Sequence, residues 1–252
     1  MSSISANNKL PGLIFDLDDL LFSPLNGFHD AMKNQICTAG KKFLDAAGLV
    51  PVIDKKGYIA NFPQMIMELG KISLELQTQF LKCCYDVPYT EKEAAEKDIF
   101  VEEGYGLKIN WSLVQAISEY TKAGGKVGIY TSGPAFHAMK VLQEIGLAEY
   151  FTEANIVDIV KMGEKLKPTL EGYKQACDLL GFEPGNTWYF DDSAKSLKGA
   201  KKADAKTFLV NRAGNKVPAG EEPDIMLNGQ NSMAYYIYSM AKSVKAQAEI
   251  SL

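Results

Sequence analysis

Gly12-Leu13-Ile14-Phe15-Asp16-Leu17-Asp18-Asp19 carries a short apolar run straight into three acids. The apolar part does not alternate with polar residues, which is the pattern of a strand buried on both faces of a parallel sheet. A polar sequel to an apolar run recurs twice. Lys126-Val-Gly-Ile-Tyr leads into Thr131-Ser132-Gly133, and Thr187-Trp-Tyr-Phe leads into Asp191-Asp192-Ser193. Two more runs, Ile156-Val-Asp-Ile-Val and Lys206-Thr-Phe-Leu-Val, have the same strand character.

Segments of helical period lie between these runs, at 111–123, 134–144, 169–180 and 193–202. Pro134 and Pro168 stand near helix starts, while Gly124, Gly146 and Gly181 follow helix ends, as capping preference favours. From about residue 107 onward strand and helix alternate, which predicts a three-layer, doubly wound (Rossmann-like) α/β fold with a parallel sheet. Residues 19–104 break the rhythm. No strand run occurs there, and apolar residues recur at helical spacing over 28–47 and 63–84, so this stretch reads as a helical insertion. The expected division is an α/β core from 1–18 and 105–252, with the insertion 19–104 set into it.

With 46% hydrophobic and 23% charged residues, the composition is that of a folded globular chain, which excludes global disorder, collagen and coiled coil. The net charge of −4 and the absence of like-charge blocks point away from a nucleic-acid polymer or membrane surface as partner. No apolar run reaches the ~20 residues of a membrane helix, and the N-terminal residues lack a signal-peptide pattern. Cys37, Cys83, Cys84 and Cys177 form no C-x-x-C pair and read as thiols of a reducing cytoplasm. With His29 and His137 as the two histidines, structural zinc is unsupported.

The three polar sequels follow the carboxyl ends of strands, where open α/β sheets bind ligands. The motifs Asp16-Leu17-Asp18, Thr131-Ser132-Gly133, Lys167-Pro168 and Asp191-Asp192-Ser193, in this order, resemble the haloacid dehalogenase superfamily, specifically its phosphatase branch with a helical cap. The resemblance spans about 12–227, and the insertion sits where that family carries its cap. Two positions depart from the common pattern: Leu20 stands where many relatives have Thr, and Ser196 where nucleotidase-like relatives have Asn.

Elementary electrostatics gives the motifs a reason. Four carboxylates gathered in one crevice repel strongly, since unit charges ~4 Å apart cost roughly 4 kcal/mol at intermediate dielectric. A hard divalent cation suits an all-oxygen set, and Mg2+ is commonly held by a few carboxylates together with water and phosphate. Such an ion plus Lys167 brings the four acids to within one charge of neutrality.

The resemblance implies that Asp16 is the nucleophile and a metal ligand. It makes Asp18 the general acid/base, with its backbone carbonyl on the metal, and lets Thr131, Ser132 and Gly133 hold the phosphoryl oxygens. Lys167 neutralises charge, and Asp191 and Asp192 complete the metal site, Asp192 directly and Asp191 through a water. Retention of an acid at Asp18 favours phosphate monoesters over carbon–halogen bonds, because a halide leaving group needs no proton.

Each motif alone has a plainer reading: a turn at Asp16-Leu17-Asp18, a helix cap at Thr131-Ser132-Gly133 or Asp191-Asp192-Ser193, a solvated lysine at Lys167. Their order and placement together favour chemistry. His137 reads as a partly buried helix residue and His29 as a surface residue. Tyr235, Tyr236 and Tyr238 read as packing a terminal helix on the sheet. The expected activity is a Mg2+-dependent phosphatase on a small-molecule phosphate ester, pyrimidine-nucleotide-like or sugar-phosphate-like, acting as monomer or homodimer. A phosphomutase or phosphotransferase and a catalytically silent phospho-ligand-binding relative are the alternatives.

Overall fold

The structure is a computed structural model that describes residues 10–22, 28–85, 107–210 and 217–250. Six parallel strands form one sheet: β1 (Gly12–Phe15), β2 (Val127–Tyr130), β3 (Ile156–Val157), β4 (Thr187–Asp191), β5 (Lys206–Val210) and β6 (Ile225–Leu227), in the order β3-β2-β1-β4-β5-β6. Every residue of β1 is buried, as its unbroken apolar run requires. Leu13 and Phe15 belong to the core on one face and Ile14 to the core on the other, the alternation that a pleated strand imposes.

Helices cover both faces, confirming the doubly wound α/β fold. The first core takes in α5 (Trp111–Lys122), α6 (Ala135–Glu144) and α10 (Gly229–Ile250). The second takes in α8 (Leu170–Leu180) and α9 (Lys198–Lys202). Leu113, Ala116, Ile117 and Tyr120 form the buried stripe of α5, spaced three and four residues apart. Asn110 caps this helix by accepting a 3.2 Å hydrogen bond from the Leu113 amide. Thr169 caps α8 in the same way through the Gly172 amide, and Gly181 ends the helix in the left-handed region.

Between β1 and α5 the described chain is helical: α1 (Phe28–Gln35), a wide turn over Ile36–Gly40, α2 (Lys41–Ala46), α3 (Phe62–Ile72) and α4 (Leu74–Tyr85). Their apolar faces meet around Phe80, whose ring lies 5.7 Å from that of Phe43 and 5.5 Å from that of Phe62. This cluster continues into the core beneath β1. Residues 86–104 of the expected insertion lie outside the described residues.

The helical stretch over 63–84 forms two helices, because Ser73 is extended and its Oγ accepts from the amides of Glu75 and Leu76, restarting the helix. Two local expectations are corrected. The strand over 156–160 stops at Val157, because Asp158 accepts from the Lys161 amide and caps a short helix, α7 (Ile159–Met162). Of the three tyrosines in α10, Tyr236 packs on Trp188 and Phe208 as expected, but Tyr235 points outward at 75% exposure.

Candidate active site

The sheet order places the polar sequels. From β1 the chain builds outward through β2 and β3, then returns to start β4 on the other side of β1. The β1–β4 boundary is therefore the topological switch point, where the following loops diverge and leave a crevice. Phe15 pairs with Phe190, so Asp16 and Asp191 leave their strands side by side. The Asp16 amide donates to the Phe190 carbonyl at 2.9 Å and locks that register.

Carboxylate oxygens of Asp16, Asp191 and Asp192 lie within 4.8 Å of one another. Lys167, brought in on the loop before α8, donates from Nζ to Asp16 Oδ1 at 2.6 Å and to Asp191 Oδ2 at 3.2 Å. Its ammonium also stands over the rings of Tyr130 and Tyr189, 4.9 and 5.4 Å from their centroids. Asp191 is held from further sides: the Tyr189 hydroxyl donates to Oδ2 at 2.5 Å and the Ser193 amide to Oδ1 at 2.9 Å. With both Asp191 oxygens engaged by the protein, Asp192 is the more accessible member of the pair.

One ammonium does not balance so many acids, and their crowding favours the protonated forms. Burial pushes the Asp16 carboxyl well above its ordinary value; Lys167 pulls it down, while Asp191, Asp192 and Asp18 push it further up. Asp192 is exposed as a residue, yet its carboxyl is enclosed among the other acids. Burial there, with repulsion from Asp191 and Asp19, raises it from 3.8 to about 7. Burial alone would lower Lys167, but Asp16 and Asp191 outweigh it and hold the ammonium charged. A close group of oxygen donors short of positive charge is the chemistry that a hard divalent cation satisfies.

Asp18 stands apart from that trio. Its Oδ1 lies 3.0 Å from Nε2 of His137 in α6, and its carboxyl is 17% exposed. His137 is fully buried, against the expectation of partial burial, because Tyr85 of α4 packs on it with ring centroids 5.0 Å apart. Thr131 is buried at the end of β2 and accepts the Gly133 amide on Oγ1 at 3.0 Å, which leaves its own hydroxyl hydrogen to donate. Gly133 is buried beside it, whereas Ser132 is exposed at the turn. Sequence reasoning missed Tyr189. The available signal was the two-residue strand period, which puts Tyr189 and Asp191 on one face of β4.

Comparison with known proteins identifies the family and the fold. The haloacid dehalogenase-like hydrolase family matches residues 10–204, and the chain belongs to that family of hydrolases. Over 77 residues it is 34% identical to validoxylamine A 7'-phosphate phosphatase of Streptomyces hygroscopicus subsp. limoneus, a match covering 31% of this chain. The chain spans about a third of that relative's length (35%) and about a quarter (26%) of the other curated relatives matched. Among solved structures it resembles a haloacid dehalogenase-type phosphatase from Thermococcus onnurineus, with TM-score 0.54, 20% identity, and 92% of this chain and 97% of the other covered. It also resembles a beta-phosphoglucomutase-like protein from Thermotoga maritima, with TM-score 0.53, 21% identity, and 93% and 100% covered. These likenesses establish the shared fold.

Proposed function

We propose that this chain is a Mg2+-dependent phosphatase that hydrolyses a small phosphate monoester through an aspartyl-phosphate on Asp16. The observation that carries the reading is the meeting of Asp16, Asp191 and Asp192 around Lys167 at the switch point, with a second acid, Asp18, two residues beyond Asp16. The Asp16 and Asp192 carboxylates and the Asp18 backbone carbonyl would hold the ion, with Asp191 acting through a water. When bound, the ion supplies charge neutralisation for the acids and the phosphate.

Asp16 attacks phosphorus, forming an Asp16 O–P bond as the P–O bond to the leaving group breaks. Asp18, protonated at this stage, gives its proton to the leaving oxygen. A water then attacks phosphorus, Asp18 takes that water's proton, and the Asp16 carboxylate departs with phosphate released. Lys167 fixes the Asp16 carboxylate and offsets charge on the transferring group, while the Thr131 hydroxyl and the neighbouring amides hold its oxygens. Phosphoryl transfer rests mainly on such positioning and charge stabilisation.

The helical segment between β1 and α5 fits the part of a cap that excludes bulk water and selects substrate. A cleft of about 340 Å3 separates α3, at Pro63, Gln64 and Met67, from the loop that precedes Lys167, at Gly163, Glu164 and Leu166. The validoxylamine A 7'-phosphate phosphatase named above supports a phosphate ester as substrate. A Mg2+-supplemented screen of nucleotide and sugar phosphates tests the reading. The expected result is turnover of a subset, ranked by kcat/KM, and its abolition in Asp16→Asn. Full activity in Asp16→Asn would contradict it.

A further inference from the structure

The geometry points to His137 as a positioning residue that holds the Asp18 carboxyl for proton transfer to the leaving group, a role that rests on the phosphatase reading above. His137 lies 119 positions from Asp18 and is wholly enclosed, yet its Nε2 sits 3.0 Å from Asp18 Oδ1. A buried imidazole costs free energy unless its nitrogens are used, and here one is spent on this carboxyl.

The chemistry of the pair suits a group that gains and loses a proton. An ionised carboxylate offers acceptors only, so Nε2 must carry the hydrogen and donate to Oδ1. When Asp18 carries its proton on Oδ2, Oδ1 remains a carbonyl-type acceptor and the same Nε2–H bond persists. One arrangement of His137 therefore serves both states of the acid, holds its rotamer through the cycle, and assigns the travelling proton to the other oxygen. With 17% of the Asp18 side chain exposed, the carboxyl is not sealed off by this contact.

The surroundings fix the imidazole in turn. Tyr85, the last residue of α4, packs on its ring at 5.0 Å, and burial together with the Asp18 charge keeps the Tyr85 phenol un-ionised. Gly133 lies beside both rings, where a Cβ would come within 3.3 Å of His137 Cδ2 and 3.5 Å of both Tyr85 Cε1 and Thr131 Oγ1. The phosphoryl-binding turn, the acid and the last described helix of the insertion thus share one support.

A poor leaving group needs the acid and a good one hardly does, so the test is a pair of substrates. kcat/KM is measured with an alkyl phosphate, such as glycerol phosphate, and with p-nitrophenyl phosphate, on wild type, His137→Phe and His137→Gln. The ratio reports the step in which the leaving group departs. In His137→Phe the alkyl ester is expected to lose on the order of 10²-fold more than the aryl ester. In His137→Gln, which returns a donor near the Nε2 position, most of that difference is recovered. Equal losses on both substrates in whichever variant folds, judged by circular dichroism, would overturn the proposal, and so would no loss on either. Failure of the wild type to hydrolyse these two esters and every ester of the nucleotide and sugar phosphate screen would instead overturn the phosphatase reading itself.

Discussion

The Lys167 ammonium lies 2.6 Å from Asp16 Oδ1, although 151 positions separate the two residues. The contact joins the first strand to the loop before α8, and the same nitrogen reaches Asp191 at 3.2 Å on the neighbouring strand. The lysine side chain is 9% exposed, so water screens this contact poorly. It is a side-chain tie across the switch point, added to the main-chain pairing of β1 and β4.

Replacing Lys167 by Met is expected to lower kcat/KM by about 10²- to 10³-fold, the usual cost of removing one pre-placed donor from a developing anion. Lys167→Arg is expected to rescue little. A planar guanidinium does not reproduce a point charge set between two carboxylates and the faces of Tyr130 and Tyr189. Steady-state kinetics on the best ester found in the screen checks both variants.

The raised acids set the pH response of the metal-free protein. Asp192 moves from 3.8 to about 7, and Asp16 also lies above its ordinary value. Between those limits the folded chain keeps protons that the unfolded chain has released, so stability falls as pH rises through this window. A divalent cation replaces the protons and competes with them less as pH rises. The increase in Tm on adding MgCl2 should therefore be larger at about pH 8 than at about pH 5. An equal or larger increase at the lower pH would contradict this.

Gly199 of α9 lies against the backbone that delivers Lys167. A Cβ there would come within 2.2 Å of the Thr169 carbonyl oxygen and 3.0 Å of that of Pro168. Gly199→Ala therefore has to displace main chain and is expected to destabilise the fold by about 1–3 kcal/mol. It should also reduce kcat through misplacement of Lys167. Chemical denaturation and kinetics on the same sample check the two effects together.

Tyr189→Phe removes the hydroxyl that donates to Asp191 Oδ2 and leaves the packing of the ring on Tyr130 and Tyr173 in place. Loss of one hydrogen bond to a buried carboxylate costs about 1.5–3 kcal/mol. The expected signature is a lowered Tm together with weaker Mg2+ activation, read by titrating activity against the ion.

Much of this was legible in the sequence because the strands are unusually plain. Gly12-Leu-Ile-Phe, followed by Asp16 and Asp18, announced both a buried parallel strand and the acids at its end. β6 was not foreseen, since Ile225-Met-Leu is three residues long and Met226 stays exposed. The break at Ser73 and the early end of β3 turned on single side chains, Ser73 and Asp158, capping new helices where periodicity alone continued. His137 illustrates the deeper limit. Its position in an amphipathic helix was readable, but its full burial and its approach to Asp18 depend on Tyr85 arriving from a different helix, which no local pattern encodes.

The most direct test of the central claim is to mix the protein with Mg2+ and a substrate radiolabelled in its phosphoryl group, quench in acid within the first turnover, and map the labelled peptide. Label is expected on the peptide that contains Asp16, and none in Asp16→Asn. Label on another residue, or turnover in Asp16→Asn at the wild-type rate, would contradict it.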